Sequence, residues 1–299
     1  ALFPNHFWLP DAHPEAPTPV SAALSGLVVN VGVYAIIRFM YTIFGKASIV
    51  GTIGFRDVVL WALLILGIVS GLVGALLMIV QSDVKRLLAY STISHIGLIY
   101  MGASIGLSSV SQESMSLGLT AALFHIINHS VGKALLFMAT GILIWAAGTR
   151  DLDKMSGIGR LYPVASLAIL LGFFQLMGLP PFGGFFSKLL LYQALISAGL
   201  IIPAVMVILI SAISILGYIK AMYALIFLPP GSEMTKKPGT GLASAVVLVL
   251  GVTCIILGIL APFYIIPWLN NVVSTSLTYQ GVLNYINVFR EALLKLMPG

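Results

Sequence analysis

The stretch from Thr120 to Gly141, TAALFHIINHSVGKALLFMATG, constrains this chain more than any other part of its sequence. It is long and apolar enough to cross a lipid bilayer as an α-helix, yet it contains His125, His129 and Lys133. With about 3.6 residues per turn, these three fall within about 80° of one helix face and cover roughly 12 Å of its axis. A lysine near the middle of a membrane helix is costly and therefore indicates function. Two histidines in line with it indicate proton transfer.

The composition of the chain also predicts a membrane protein. Of its 299 residues, 59% are hydrophobic and 8% are charged, and its mean hydropathy is +1.07. Soluble domains carry about 25% charged residues. The apolar residues occur in runs of roughly 20, which favours helices over a β-barrel. The net charge of +6 does not indicate nucleic-acid binding, because most basic residues lie in short loops between these runs.

The sequence offers little support for redox or metal chemistry. Cys254, the one cysteine, lies inside an apolar run, which excludes an intrachain disulfide and a cysteine cluster. No glycine-rich phosphate loop or recognisable quinone site is present. We therefore predict no cofactor and no metal in this chain. Its first residues lack a basic signal region and are typical of the middle of a protein, so we expect an N-terminal part to precede Ala1.

We predict that the chain has three parts. Residues 1–17 are rich in proline and suit the end of a broken helix followed by a cytoplasmic loop. Residues 18–269 hold seven membrane spans. Residues 270–299 form a surface segment, whose alternating apolar and polar residues over 280–297 predict an amphipathic helix on the membrane. The predicted spans cover residues 18–44, 57–81, 86–107, 116–147, 162–199, 203–228 and 241–269.

The fifth span is too long for one crossing and is interrupted by GLPPFGG at 178–184. Prolines remove backbone donors, so this segment predicts a discontinuous helix packed inside protein. A broken membrane helix exposes carbonyls and amides that hold water and ions near the midplane. Lys188 follows the interruption directly and lies about half a bilayer from either face, so we predict a functional lysine.

Two further residues are candidates with open alternatives. His95 lies in the middle of the third span, close to Ser91, Thr92 and Ser94. This pattern predicts either a hydrated polar stripe or a satisfied core histidine. Lys220 lies about eight residues from the cytoplasmic end of the sixth span, so its ammonium either reaches the interface or lies at a channel mouth.

The predicted spans lack acidic residues in the membrane interior. Burial without a carboxylate partner disfavours the charged form of a lysine, which can then accept and release a proton. A pair of carboxylates that could hold a bare Na⁺ is not present in the spans. All nine acidic residues fall in loops, ends or the tail: Asp11, Glu15, Asp57, Asp83, Glu113, Asp151, Asp153, Glu233 and Glu291.

The loop charges predict the orientation of the chain in a cell inner membrane or plasma membrane. The loops after the second, fourth and sixth spans are rich in basic residues, and the positive-inside rule places them in the cytoplasm, with the C-terminus outside. These loops hold Lys85, Arg86, Arg150, Lys154, Arg160, Lys236 and Lys237, whereas the other loops hold Lys46 and Arg56.

Four motifs resemble the antiporter-like membrane subunits of the respiratory complex I superfamily. They are WLPDAHPEAPTPVSA at 8–22, DVKRLLAYSTISHIG at 83–97, FHIINHSVGKALLF at 124–137 and GLPPFGGFFSK at 178–188. The superfamily includes large subunits of complex I, multi-subunit cation/proton antiporters and membrane-bound hydrogenases. The resemblance implies an all-α polytopic bundle with inverted repeats, each with a broken helix, of which the first repeat is mostly absent here.

The resemblance also implies roles for particular residues. Lys133 resembles the central-axis lysine, with His125 and His129 beside it. His95 resembles a histidine that some members carry on the preceding helix. Lys188 resembles the lysine or glutamate of the second broken helix, which faces the outer exit.

One position departs from the family pattern. Many members carry a lysine in the first span of this chain, where Asn30 stands. Asparagine can order water but cannot titrate. The resemblance therefore implies that the link between the proton sites of the first and second repeats is weakened here.

These inferences predict a non-catalytic, proton-translocating subunit of a redox-driven complex. Water enters near Asn30, and the proton passes His125, His129 and Lys133 and leaves by Lys188. The implied partners are lipid and other membrane subunits, including antiporter-like neighbours. Two alternatives remain open: a Na⁺/H⁺ antiporter subunit without a redox partner, and a structural anchor whose channel is inactive because of Asn30.

Overall fold

The computed structural model describes residues 1–45, 48, 54–231 and 235–296. Lys46 and Glu233, which the sequence predicts to lie in loops, are outside these residues. Across the described ranges the chain forms helices joined by short loops, with one isolated backbone bridge between Asp83 and Asp151. The predicted all-α, polytopic bundle with a discontinuous helix is confirmed.

The helices begin and end within four residues of the predicted spans, except that the fifth span is divided in two and the last continues to Ser276. In chain order they are α1 (Trp8–Glu15), α2 (Thr18–Ile43), α3 (Phe55–Val80), α4 (Val84–Ala103), α5 (Gln112–Ala147), α6 (Pro163–Met177), α7 (Gly183–Ser197), α8 (Ile201–Phe227), α9 (Gly241–Ser276) and α10 (Tyr279–Leu296). By length and composition, α2, α3, α5, α8 and α9 can each cross a membrane. Helix α4 carries many polar residues, and α6 and α7 are the two halves of the interrupted span.

Helix α5 lies at the centre of the bundle. It packs against α2, α4, α6, α7 and α9, which surround it along its length. This packing buries a helix that carries two histidines and a lysine. The polar side chains of α5 are therefore brought against those of its neighbours and kept away from lipid.

The interruption between α6 and α7 is short. Helix α6 ends at Met177, and Gly178 follows with a φ of +82°, a left-handed conformation that glycine adopts without a side-chain clash. The chain then passes Pro180 and Pro181 and re-enters a helix at Gly183. The last carbonyls of α6 consequently have no partner in their own helix and are free to accept hydrogen bonds from side chains.

Charged side chains hold the turn between α3 and α4 through hydrogen bonds and an ion pair. Asp83 caps α4 by accepting hydrogen bonds from the amides of Lys85 and Arg86 at 2.7 and 3.1 Å. Its other carboxylate oxygen pairs with Arg150 at 3.2 Å. The ammonium of Lys85 donates to the carbonyl of Ala16 at 2.7 Å, which ties α4 to the loop before α2.

The C-terminal segment forms α10, a helix whose described side chains from Asn284 onward are exposed. Apolar side chains such as Ile286, Phe289 and Leu293 are among them. The helix therefore matches the sequence pattern. Its position on a membrane surface stays a prediction.

Candidate functional site

Lys133 is fully buried on α5, and its ammonium is held by α4. Its Nζ donates to the carbonyl oxygen of Leu88 at 2.8 Å and to Oγ of Ser91 at 2.6 Å. The ion pairs found among the described residues lie elsewhere. The lysine is thus surrounded by neutral hydrogen-bond acceptors.

Ser91 links Lys133 to helix α8 through hydrogen bonds. Its hydroxyl lies in hydrogen-bonding contact with the hydroxyl of Tyr218, which is fully buried on α8. The same tyrosine oxygen lies 2.9 Å from Nε2 of His95 on α4. Two hydroxyl groups therefore join Lys133 to His95.

His95 and His125 are joined directly. Nδ1 of His95 lies 2.9 Å from Nε2 of His125. The two rings are 15° from parallel with centroids 5.1 Å apart, so they meet edge to edge with the hydrogen bond close to the ring planes. Both nitrogens of His95 are thereby engaged, one by Tyr218 and one by His125.

His125 connects α5 to the second half of the broken helix. Its Nδ1 lies 2.9 Å from Oγ of Ser187, whose hydroxyl donates to the carbonyl of Gly184 at 3.1 Å. The next residue, Lys188, is buried and donates from Nζ to the carbonyl of Met177 at 3.0 Å. The ammonium thus occupies the C-terminal end of α6, where exposed carbonyls favour a positive charge.

The side-chain amides of Asn128 and Gln175 hold the interruption between α6 and α7 against α5. Asn128 of α5 donates from Nδ2 to the carbonyl of Gly183 at 3.2 Å. Its Oδ1 accepts from Nε2 of Gln175 of α6 at 2.8 Å. These contacts hold the start of α7 and the end of α6 against the same helix, which fixes the position of Ser187 relative to His125.

His129 lies beside the chain of hydrogen bonds and does not form one of its links. Its ring centroid is 5.4 Å from that of His95, and its Nδ1 lies 3.2 Å from Nδ2 of Asn30. Its Nε2 has no hydrogen-bond partner among the described residues. The sequence pattern predicts a proton route through His129 to Lys133. The hydrogen bonds instead run through Ser91 and Tyr218, because α4 and α8 supply the groups that Lys133 and His95 contact.

Asn30 is buried against α5 and faces His129. Its Nδ2 also donates to the carbonyl of Gly26 at 2.8 Å and to Oγ of Ser130 at 2.9 Å. A π-helical turn at Leu24–Val28 precedes it in α2, a feature that often marks functional sites. Asn30 therefore lies at the edge of the histidine cluster.

We expect Asn30→Lys to assemble and to change proton uptake. Ser130 and His129 offer acceptors for an ammonium at this position, and a titratable group would join the histidine cluster to α2. Proton uptake per assembled complex is the measurement, with Asn30→Leu as the control that removes the polar group. Loss of assembly in Asn30→Lys, with Asn30→Leu intact, would show that the amide fills a tight contact that cannot hold a charge.

Lys220 is placed away from this cluster. Its Nζ donates to the carbonyls of Ile79 and Gln81, both at 2.9 Å, and the residue is exposed. These carbonyls belong to the end of α3 and the residue that follows it. Of the two predicted roles, the geometry favours an ammonium that reaches the helix end, where it satisfies unpaired carbonyls.

Several residues of the site were not predicted from the sequence. Tyr218 and Ser187 form links in the chain of hydrogen bonds, and Asn128 and Gln175 hold the interruption. His13 of α1 is also buried, with its ring stacked on Phe137 at a centroid distance of 4.7 Å. For Tyr218, Ser187, Asn128 and Gln175, the available signal was a polar group inside an apolar run, within three residues of a position already singled out.

Comparison with known proteins gives matches along most of the chain. The family model described as NADH:quinone oxidoreductase/Mrp antiporter, TM, matches residues 1–214. Formate hydrogenlyase subunit 3 of Escherichia coli (strain K12) is 32% identical over 296 residues, which cover 92% of this chain and 46% of that protein. A Na(+)/H(+) antiporter subunit of Alkalihalophilus pseudofirmus is 40% identical over 205 residues, covering 66% of this chain and 24% of that protein.

A solved structure has the same fold. One chain of the membrane-bound sulfane sulfur reductase, an archaeal respiratory membrane complex, superposes with a TM-score of 0.82 and 27% sequence identity. The match covers 95% of this chain and 55% of that chain. The present chain therefore spans about half the length of these relatives or less.

Proposed function

Because this chain belongs to the NADH:quinone oxidoreductase/Mrp antiporter membrane family, we propose that it carries protons across the membrane as one member of a larger complex. The family assignment confirms the resemblance of its motifs to antiporter-like subunits. Its relatives belong to hydrogenase-type, antiporter and respiratory complexes with several membrane subunits. This chain spans about half the length of those relatives or less, and we propose proton transport for the whole protein from the site found in this part.

The observation that carries the proposal is the continuous chain of hydrogen-bonding side chains between Lys133 and Ser187. Each group in it can bind or pass a proton: an ammonium, two hydroxyls, two imidazoles and a third hydroxyl. The chain of hydrogen bonds lies inside a bundle of apolar helices, where such polar groups are costly and indicate a proton path. Lys188 directly follows its last member.

The proposed path runs from Lys133 through His95 and His125 to Lys188. Lys188 contacts Met177, and no hydrogen bond joins it to Ser187 within the described ranges. Release to Lys188 therefore needs a rotation of the lysine side chain or one bridging water. The opening between α6 and α7 supplies backbone acceptors for such a water.

We propose that the chain is oriented by its basic loops in the plasma membrane. The loops after α3, α5 and α8 are placed in the cytoplasm by the positive-inside rule. In this orientation α7 runs toward the outside, so a proton that reaches Lys188 lies on the way out. Antiporter-like subunits of the same family are the proposed neighbours, and a redox module elsewhere in the complex supplies the energy.

A second candidate is a Na⁺/H⁺ antiporter subunit, which the 40% identity to the Alkalihalophilus pseudofirmus protein favours. The chain of hydrogen bonds argues for protons, because none of its members is a carboxylate. Its lysine and imidazole nitrogens pass protons but offer little to a sodium ion, and its hydroxyl oxygens carry no negative charge to neutralise one.

The two candidates can be separated with the full-length complex in membrane vesicles. With the complex energised by its own electron donor, we expect proton uptake in Na⁺-free medium at the rate seen with Na⁺. A pH-sensitive dye inside the vesicles reports the uptake. Uptake that needs Na⁺ on the opposite side, with no electron donor, would support the antiporter instead.

A further inference from the structure

Tyr218 occupies the point where three helices meet. It belongs to α8, and its hydroxyl lies between Ser91 and His95, both on α4. Ser91 in turn accepts from Lys133 on α5. The tyrosine ring is held in place by Phe173 of α6, with ring centroids 5.0 Å apart. The hydroxyl is therefore fixed between the lysine side and the histidine side of the site.

We propose that the Tyr218 hydroxyl passes protons from Lys133 to His95, and that Lys133 sets the direction of the hydrogen bonds along the whole chain. This inference rests on the proposed function and adds a residue and a polarity to it. The direction is derived from the donor and acceptor chemistry of each group, and the role of Tyr218 from the position of its hydroxyl between Ser91 and His95.

The direction follows from the end at Lys133. An ammonium has three N–H donors and no acceptor. Ser91 must therefore accept from Lys133, and among the described residues Tyr218 is the partner that can take the hydrogen of Ser91. Tyr218 then donates to Nε2 of His95. A neutral imidazole has one donor nitrogen and one acceptor nitrogen, so His95 carries its proton on Nδ1.

The same rule applies to the remaining links. Nδ1–H of His95 donates to Nε2 of His125, which leaves Nδ1 of His125 as the protonated nitrogen. That nitrogen donates to Ser187, whose hydrogen goes to the carbonyl of Gly184. Every donor between Lys133 and Gly184 thus points the same way, and every group finds a partner. This agreement along six contacts is what supports the assignment.

The transfer step balances without an ionised tyrosine. An N–H bond of the Lys133 ammonium breaks and its proton joins Ser91, while the hydrogen of Ser91 moves to Tyr218 and that of Tyr218 moves to Nε2 of His95. Lys133 becomes a neutral amine and His95 an imidazolium, and both hydroxyls remain neutral with reversed orientation. His95 can then pass the proton on Nδ1 to His125, which leaves His95 protonated on Nε2. Before a second transfer, the two hydroxyls must rotate back and His95 must return to its Nδ1-protonated form. Once Lys133 has bound a new proton it offers no acceptor, so the first proton cannot return to it.

The test removes one hydroxyl and keeps the ring. In the full-length complex, Tyr218→Phe preserves the packing against Phe173 and breaks the chain of hydrogen bonds. We expect proton uptake per assembled complex to fall about 100-fold, the lower end of what a positioned proton-transfer group contributes. Ser91→Ala removes the neighbouring hydroxyl with a small change in volume and should give the same loss. Wild-type uptake in either assembled variant would overturn the proposal.

A matched control loses an equivalent hydrogen bond elsewhere in the bundle. Tyr41 is also buried, and its hydroxyl donates to the carbonyl of Ala103 at 2.6 Å and accepts from the amide of Gly106 at 3.0 Å. Tyr41→Phe should lower thermal stability as Tyr218→Phe does, with uptake per assembled complex unchanged. An equal fall in uptake in the control would overturn the relay, because loss of packing or stability would then explain the effect.

A second readout reports the polarity itself. In complex labelled with 15N-histidine, the signals of His95 are those that disappear in His95→Gln. We expect Nδ1 to be protonated and Nε2 to accept a hydrogen bond, and the Nε2 signal to move in Tyr218→Phe. Protonated Nε2 in the resting protein would overturn the direction.

Lys133→Ala separates the proposed function from the role of Tyr218. If that variant is inactive while Tyr218→Phe pumps normally, the proposed function stands and the role of Tyr218 does not.

Discussion

Replacing Lys133 by alanine is expected to abolish proton uptake while the complex still assembles. Alanine suits the apolar interior of a helix, and Leu88 keeps a hydrogen bond from Thr92 after the ammonium is gone. Ser91 loses the donor that orients it, so the chain of hydrogen bonds has no proton source. We expect uptake per assembled complex to fall at least about 100-fold. Dye quenching in energised vesicles, normalised to assembled complex, measures it.

The control for this variant is another buried lysine. Lys85 donates to a backbone carbonyl, as Lys133 does, but it lies at the start of α4 and contacts the loop before α2. Lys85→Ala is expected to weaken that contact and to leave uptake per assembled complex intact. Wild-type uptake in assembled Lys133→Ala would rule out the path as drawn.

Lys188→Leu is expected to lose proton uptake almost completely, whereas Lys188→Glu is expected to retain part of it. Leucine fills the space beside the interruption but neither binds a proton nor donates to Met177. A buried glutamic acid favours its neutral form and can also take up and release a proton. The comparison therefore separates titration at this position from the filling of a gap. Both variants are measured in vesicles at matched assembly.

The two substitutions differ in a way that tests the mechanism directly. If Lys188→Leu takes up protons as well as Lys188→Glu, titration at this position is not part of the path, and the lysine serves only to cap α6. If both variants fail while assembling normally, the position requires a cation beside the carbonyls of α6.

The sequence was sufficient to predict the helices and the interruption, because these depend on local features. Runs of apolar residues set the spans, and the prolines of GLPPFGG stop a helix wherever it is packed. The histidines and lysines could be found for the same reason. A charged or titratable side chain in an apolar run has few structural explanations.

The order of the residues along the path could not be predicted in the same way. His125, His129 and Lys133 share a face of α5, yet that face is wide enough for two neighbours. Helix α4 approaches His125 and Lys133, and α2 approaches His129, so the middle histidine lies off the path. Tyr218 was missed because a tyrosine in an apolar span is ordinarily a packing residue, and only tertiary contacts show where its hydroxyl points.

The position of α5 has an electrical consequence. Lys133 and His125 are separated by roughly 12 Å along the helix, about 40% of a hydrocarbon core of about 30 Å. A full crossing against 100 mV requires about 2.3 kcal/mol per charge. Moving a proton between the levels of these two residues against 100 mV therefore requires about 0.9 kcal/mol. The membrane voltage acts on the hydrogen-bonded chain itself, so the occupancies of Lys133 and of the histidines depend on how strongly the membrane is polarised.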